Sequence, residues 1–173
     1  MIKKIALAIC ATAGLVAAET TVELFAATQT GAGEKIGSVI ISETAYGLVF
    51  TPSLSGVANG IHGFHVHANG SCEPTKADDG KITPAGAAGG HLDPKNTNAH
   101  KGPYDASGHL GDLPALYADA QGKVSYPVLS PKIKKISEIK GKALMLHVGG
   151  DNHADAPSPL GGGGARLACG VIK

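Results

Sequence analysis

The sequence has no tryptophan, and phenylalanine and tyrosine together supply only seven of its 173 residues. It also lacks any run of the ~18 apolar residues that a membrane-spanning helix needs. Basic and acidic residues nearly balance at a net charge of +1, and no block of lysine or arginine marks a nucleic-acid-binding face. We therefore expect neither nucleic acid nor a membrane as a partner.

Glycine and proline, by contrast, are abundant, with 25 and 10 residues. That proportion is well above the ordinary share and is too rich in turns for a bundle of helices. Hydrophobic residues make up 43% of the chain, which is enough to fill a core and argues against disorder. The composition therefore argues against a helical bundle, and the length allows one domain of ordinary size.

The first 18 residues have the pattern of a secretory signal peptide. Lysines follow Met1, residues 5–16 are apolar, and Val16 and Ala18 supply the small residues before a cleavage site. A lipoprotein anchor at Cys10 is rejected because Ile9 is too large for that cleavage. We predict an exported chain cut after Ala18, with the functional domain over residues 19–173.

Cleavage changes the charge and the cysteine count. Removal of Lys3 and Lys4 leaves 13 basic against 14 acidic residues, a net charge of −1. Cys10 departs as well, so that Cys72 and Cys169 remain. Two cysteines in an oxidising compartment are expected to pair, with two free thiols as the alternative.

Short apolar segments separated by turns run through the rest of the chain. Val22, Leu24 and Ala26 alternate with polar neighbours, as a half-buried strand requires. Residues 131–140 allow a helical turn at most. About eight such strands at close spacing predict an antiparallel sandwich or barrel; the segments are 22–26, 35–41, 45–51, 61–67, 115–118, 124–129, 143–148 and 165–172.

Two segments without this alternation, 68–113 and 149–164, are too long for ordinary connections and indicate functional loops. The first holds His91, His100, His109 and Asp112. Three imidazoles and one carboxylate are a complete tetrahedral zinc set with no open position. We therefore predict that a metal orders this loop, against the alternative of solvated histidines.

A second set of histidines lies on the predicted strands. His65 and His67 flank Val66, so that both imidazoles project from one face while Val66 enters the other. His62 has the opposite parity and is interpreted as a structural, hydrogen-bonded histidine. His147 ends an apolar strand, and with one shared loop histidine it completes four nitrogens, which suit copper(II).

The chain resembles the copper–zinc superoxide dismutases, and most closely their bacterial, exported branch. The resemblance covers essentially the whole mature chain. It implies a flattened, eight-stranded antiparallel Greek-key β-barrel, an immunoglobulin-like sandwich with two long functional loops. The motifs that carry it are Gly63-Phe64-His65-Val66-His67, Gly89-Gly90-His91-Leu92-Asp93-Pro94, Gly108-His109-Leu110-Gly111-Asp112-Leu113, the run Gly161 to Gly164, and Ala165-Arg166-Leu167-Ala168-Cys169-Gly170-Val171-Ile172.

The resemblance implies one copper and one zinc per subunit, with superoxide as substrate and dioxygen and hydrogen peroxide as products. Asp151 would orient ligands of both metals, Arg166 would attract the anion, and Cys72 and Cys169 would pair. The expected location of the protein is the periplasm, and the sequence allows a monomer or a homodimer. The implied copper ligands are His65, His67, His91 and His147; the implied zinc ligands are His91, His100, His109 and Asp112, while His62 and His153 match no ligand position.

Two other functions remain to be weighed. A copper-binding protein without turnover would be expected to lack a ligand or the arginine, and here every position is filled. A zinc hydrolase is disfavoured because there is no H-E-x-x-H motif. Lys76, Lys81 and Lys101 are candidates for steering the anion, against the alternative of ordinary solvated charges.

Overall fold

The computed structural model of the chain describes residues 18–173. The predicted signal peptide lies outside these residues, apart from Ala18. Across the described residues no helix is long and apolar enough to cross a membrane. The strands are β1 Glu19–Thr28, β2 Gly31–Thr44, β3 Gly47–Leu54, β4 Gly60–His62, β5 Phe64–His67, β6 Thr75–Lys76, β7 Ile82–Thr83, β8 Leu116–Ala118, β9 Val128–Ser130, β10 Ala143–His147 and β11 Arg166–Val171.

Seven of these strands form one antiparallel sheet in the order β5-β10-β11-β1-β2-β3-β9. Two short sheets, β4-β8 and β6-β7, complete the β-structure. The first strand thus pairs with the last, and β5 pairs with β10 across a long stretch of sequence. The predicted all-β antiparallel class is confirmed, with the sheet curled around its core as in a flattened barrel.

Alternation along the strands decides which side chains enter the core. Val22 and Leu24 of β1 are buried, and Thr21 and Glu23 beside them are exposed. Phe50 and Phe64 meet edge to face at 5.7 Å between ring centroids. The centre of the core is therefore apolar and closely packed; its largest members include Leu24, Ile41, Leu48, Phe50, Phe64, Leu113, Leu116, Leu144 and Leu146.

The structure corrects several strand boundaries. The segment 61–67 is not one strand, because Gly63 separates β4 from β5 and the two lie in different sheets. Of the segment 124–129, Val124 makes only an isolated bridge to Leu54 before β9 begins at Val128. The helical turn allowed in 131–140 is a 3-10 turn at Ile136–Glu138.

The long loop 68–113 is held to the sheet by a disulfide and by backbone hydrogen bonds. Cys72 and Cys169 are bonded, with their Cα atoms 5.7 Å apart, which confirms the predicted pair. The amide of Leu92 donates to Val66, and the amide of Val66 donates to Gly111. The loop also contains the small hairpin β6-β7, which the sequence did not predict.

Candidate metal centre

Three imidazoles meet at the edge of the sheet where β5 pairs with β10. His67 lies opposite Ala143, and His65 lies opposite Met145, with both rings on the face away from the core. Val66 between them is fully buried in the core, as the alternation predicts. His147, at the end of β10, brings its Nε2 to 3.4 Å from Nε2 of His67.

The long loop supplies a fourth imidazole to this group. His91 forms a β-bridge with His67, and its ring stacks on His65 at 3.9 Å between centroids. His91 also faces a second group of side chains on its other side. The structure thus brings together both predicted sets: His65, His67, His91 and His147 in one, and His91, His100, His109 and Asp112 in the other.

Hydrogen bonds to oxygen acceptors fix which ring nitrogen of each histidine is available to a metal. Because a carbonyl or an ionised carboxylate can only accept, the facing nitrogen must carry the proton. The opposite nitrogen then holds a lone pair turned towards the centre. The donors are His65 Nε2 to Asp151 Oδ2 at 2.8 Å, His67 Nδ1 to the Gly89 carbonyl at 2.8 Å, and His147 Nδ1 to the Gly164 carbonyl at 3.2 Å.

These tautomers leave a group of inward lone pairs that protein atoms do not satisfy. Nδ1 of His65 is buried and has no hydrogen-bond partner within residues 18–173. Nε2 of His67 and Nε2 of His147 face each other, both without a proton, so they repel unless a cation lies between them. Four imidazole nitrogens in this arrangement fit copper(II).

The second group centres on one carboxylate oxygen. Nδ1 of His91, His100 and His109 lies 2.9, 3.0 and 3.3 Å from Oδ1 of Asp112. Tetrahedral zinc with bonds of about 2.0 Å would set such ligand atoms roughly 3.3 Å apart. His100 Nδ1 is buried and makes no well-aligned hydrogen bond among the described residues. The donor set and its spacing therefore fit zinc.

Asp151 connects the two groups from outside. Its Oδ2 accepts from His65 and its Oδ1 accepts from His100, each at 2.8 Å. Oδ1 also accepts the backbone N–H of His153. Gly161 lies so close that a Cβ there would be 2.0 Å from Oδ1, and its φ is +72°, so no other residue fits. The carboxylate thus orients one imidazole of each group.

Burial keeps the copper-side imidazoles neutral. It lowers the pKa of His65 to about 3, that of His67 to about 2 and that of His147 to about 4. Burial alone would raise the pKa of Asp112, but its close contacts with His100 and His91 outweigh that effect and hold the pKa well below its usual range. At neutral pH the copper-side imidazoles therefore present lone pairs and Asp112 a negative carboxylate. Burial alone would lower the pKa of His100, but Asp112 and Asp151 beside it raise that pKa to about 9, so zinc would displace a proton there.

Arg166 stands next to the copper-side imidazoles. In the β10-β11 register it is the partner of His147. Its half-buried guanidinium donates to the carbonyl oxygens of Ala85 and Gly89. The Gly89 oxygen is the same one that accepts from His67, so one carbonyl holds both the arginine and an imidazole.

The remaining predicted residues lie outside both groups. His62 is buried on β4, not on β5, so the parity argument for it was wrong in detail. Its Nδ1 and Nε2 lie 2.8 Å from the carbonyl oxygens of His147 and Ala58, and it is hydrogen-bonded as expected. The ring of His153 packs beside Gly102, with Nδ1 3.5 Å from Asp151.

The three candidate steering lysines are all on the surface of the long loop. Lys76 and Lys81 are exposed at the β6-β7 hairpin, and Lys101 donates from Nζ to Ser107. Sequence reasoning missed the acceptor role of Gly89, because a backbone carbonyl carries no sequence signal of its own.

Comparison with known proteins gives a consistent result. Residues 35–172 match the profile of the family described as copper/zinc superoxide dismutase (SODC). Superoxide dismutase (Cu-Zn) 2 of Salmonella typhimurium strain LT2 is 56% identical over 163 residues, covering 94% of this chain and 93% of that protein. The Cu-Zn enzyme of Escherichia coli strain K12 is 54% identical over 167 residues, covering 96% and 95%.

Solved structures agree with the sequence matches. The Cu/Zn superoxide dismutase of Brucella abortus superposes with a TM-score of 0.87 at 56% identity, covering 90% of this chain and all of that one. The solution structure of the monomeric copper, zinc enzyme of Salmonella enterica gives a TM-score of 0.81 at 54% identity, again covering 90% of this chain and 100% of the other.

Proposed function

Because this chain belongs to the copper–zinc superoxide dismutase family and dismutates superoxide with those two metals, we propose which residues carry the reaction. Dismutation converts two superoxide anions and two protons into dioxygen and hydrogen peroxide. The observation that supports the assignment is a pair of buried ligand groups that share a single residue, His91.

Copper would be held by Nδ1 of His65 and by Nε2 of His67, His91 and His147. For His65, His67 and His147 these are the atoms left with lone pairs once the outer nitrogens have found their oxygen acceptors, and for His91 it is the nitrogen opposite the one turned to Asp112. Zinc would be held by Nδ1 of the three histidines around Asp112 and by that carboxylate, and it would displace any proton that these nitrogens direct to Asp112 in its absence. Four protein ligands leave no open position, as in sites with a structural role.

When bound, copper supplies a one-electron couple that takes an electron from one superoxide and returns it to the next, whereas zinc supplies charge without redox chemistry. The chain supplies a proton carrier: because Nδ1 of His91 is turned to Asp112, its Nε2 is the ring atom that can take up a proton and release it towards the reduced substrate. Asp151 keeps His65 and His100 in their tautomers meanwhile.

Arg166 would attract and orient the anion. Two of its five N–H donors are used on carbonyl oxygens; the others, which have no acceptor within residues 18–173, would donate to superoxide. The mature chain has a net charge of −1 if it begins at Glu19, so the attraction must come from local charge. A charged cleft can raise association rates by about 10- to 1,000-fold, and Lys76, Lys81 and Lys101 would add to that field.

The test is replacement of one copper ligand. In His67→Ala we expect a folded, zinc-containing protein with negligible dismutation, because copper loses one of its four nitrogens. Metal analysis and an activity assay on the same preparation measure both properties. His153→Asn is the matched control, since asparagine tolerates its φ of +58°. A His67→Ala protein with bound copper and near-normal activity would refute the ligand assignment.

Residues 1–18 would direct the enzyme to the periplasm and be removed after Ala18. The charged and apolar pattern of those residues supports this proposal, as does the Cys72–Cys169 disulfide, which forms in oxidising compartments. Mass spectrometry of the protein released by osmotic shock should give Glu19 as the first residue. A full-length chain retained in the cytoplasm would contradict it.

The catalytic unit would be the single domain of residues 19–173. Every residue of both ligand groups, and Arg166, comes from one chain, so a monomer would suffice for activity even if homodimers form. Ile61, Tyr117 and Tyr126 are exposed apolar side chains that a second copy could cover. Sedimentation and activity measured over the same concentration range test this; a specific activity that appears only with the dimer would contradict it.

A further inference from the structure

Lys132 makes an unusual pair of hydrogen bonds to the long loop. Its half-buried ammonium donates to the carbonyl oxygen of Gly102 at 2.8 Å and to that of His109. His109 is a proposed zinc ligand, and Gly102 comes two residues after another, His100. One cation therefore contacts the backbone at both ends of the segment that carries these two ligands.

The base of this side chain is fixed in the sheet. Lys132 comes two residues after β9, which pairs with β3. The next residue, Ile133, is fully buried, and its carbonyl accepts the amide of Leu48 on β3. The ammonium is thus presented from a rigid edge strand to a loop that has almost no regular structure of its own.

The loop 149–164 holds the segment 99–109 near His100, whose amide donates to Asp155 and whose ring donates to Asp151. The amide of His109 donates to Ala99 and closes the segment on itself, and Lys101 donates to Ser107 within it. The two hydrogen bonds of Lys132 connect this segment, near both of its ends, to the end of strand β9. Zinc binding to a loose loop would also have to order it, which weakens the apparent affinity.

We propose that Lys132 is a positioning residue that pre-organises His100 and His109 for zinc, an inference that rests on the zinc site proposed above. The ammonium holds the two carbonyls before the metal arrives, so the imidazoles are already close to their bound positions. Arginine at this position could make the same two bonds, because its guanidinium is also a charged donor with several N–H groups.

The sign of the expected effect separates this role from simple electrostatics. A positive charge near a zinc ion repels it, so Coulomb's law alone predicts tighter zinc binding when Lys132 is neutralised. Pre-organisation predicts the opposite outcome, weaker zinc binding.

The experiment compares three variants of the mature, disulfide-bonded protein. Lys132→Met keeps most of the stem but removes the charge and donors, and Lys132→Arg restores them. Lys134→Met is the matched control, since Lys134 is exposed and donates to one distant carbonyl, that of Tyr46. The zinc dissociation constant is measured by chelator competition, together with amide exchange of residues 99–110 in the zinc-free protein.

We expect Lys132→Met to weaken zinc binding by about 10- to 100-fold, the usual effect of removing a group that orients a ligand. Its zinc-free form should exchange faster at 99–110, Lys132→Arg should recover most of the affinity, and Lys134→Met should match the wild type. If Lys132→Met folds poorly, Lys132→Gln takes its place, because glutamine keeps neutral N–H donors. The rate of amide exchange at 99–110 in zinc-free Lys132→Gln should then lie between that of the wild type and the faster rate expected for Lys132→Met.

An affinity for zinc in Lys132→Met equal to or tighter than that of Lys134→Met overturns the proposal. So does an equal loss of stability in the zinc-free and zinc-loaded forms, because that identifies a merely structural role. A wild-type protein that binds no zinc refutes the site itself, and this result is distinguishable because it appears before any variant is compared.

Discussion

Asp151→Asn should separate the two metals, because the two oxygens of this carboxylate serve different imidazoles. Oδ1 accepts from both His100 Nε2 and the backbone of His153, so the single remaining oxygen of asparagine is best placed there. The new amide nitrogen then faces His65 Nε2, which is itself a donor. The hydrogen bond from His65 on the copper side is therefore lost, whereas the hydrogen bond from His100 on the zinc side is kept, now to a neutral amide oxygen.

The expected magnitudes follow from the two bonds. The bond to His65 joins side chains that are completely buried, and a hydrogen bond to a charged group is worth about 1.5–3 kcal/mol. Its loss corresponds to an increase of roughly 10- to 100-fold in the copper dissociation constant. Charge-assisted bonds are roughly twice as strong as neutral ones, so zinc binding through His100 should weaken by only about 3- to 10-fold.

Metal-free protein titrated with each metal against a chelator of known affinity measures both constants. Asp151→Ala should weaken both metals strongly, because it removes both acceptors. Asp119→Asn is the control, since Asp119 likewise accepts backbone amides, those of Gln121 and Lys123, but in a turn that contains no proposed metal ligand. If Asp151→Asn loses as much affinity for zinc as for copper, or loses affinity for neither, the assignment of one carboxylate oxygen to each metal group is refuted.

Two further predictions concern the substrate and the loop. Arg166→Glu should reduce the dismutation rate far more than Arg166→Lys, with both metals still bound. The rate of the wild type should decline as salt is raised, and this decline should weaken or invert in Arg166→Glu. A glutamate variant with the wild-type rate and an unchanged salt profile would show that Arg166 has no part in the mechanism. Reduction of Cys72–Cys169, or the substitution Asp112→Ala, should lower thermal stability and speed amide exchange over 68–113. If neither treatment changes the exchange rate, neither the disulfide nor zinc orders this loop.

Much of the centre could be predicted from sequence because its signals are local. The alternation His65-Val66-His67 is enough to place two imidazoles on one face of a strand and Val66 in the core, and the structure shows both. The set of His100, His109 and Asp112 is close in sequence, so its composition alone indicated a zinc-like donor set before the fold was known.

The features that were missed depend on contacts between distant parts of the chain. The break of 61–67 at Gly63 arises because Gly63 exchanges hydrogen bonds with His147 and Gly149, which are more than 80 residues away. Strands β6 and β7 have two residues each, too few to show alternation. Lys132 lies in a lysine-rich stretch that has the composition of a solvated surface, and only the folded loop shows what its ammonium contacts.

The pairing of β10 with β11 allows the arginine only positions that differ by whole residues. His147 is paired with Arg166, and Met145 with Cys169, so the same ladder places the anion-binding group and the disulfide. A ladder can shift only by whole residues, each of about 3.4 Å, and every such step turns the side chains to the opposite face. The ladder contains one such irregularity, a bulge between the Leu146–Ala168 and His147–Arg166 pairs, which leaves Leu167 opposite no residue and offsets the arginine by one residue from regular alternation. Because the ladder sets this spacing and the length of the connecting loop does not, the distance from arginine to copper ligand cannot be adjusted gradually by changes in loop length.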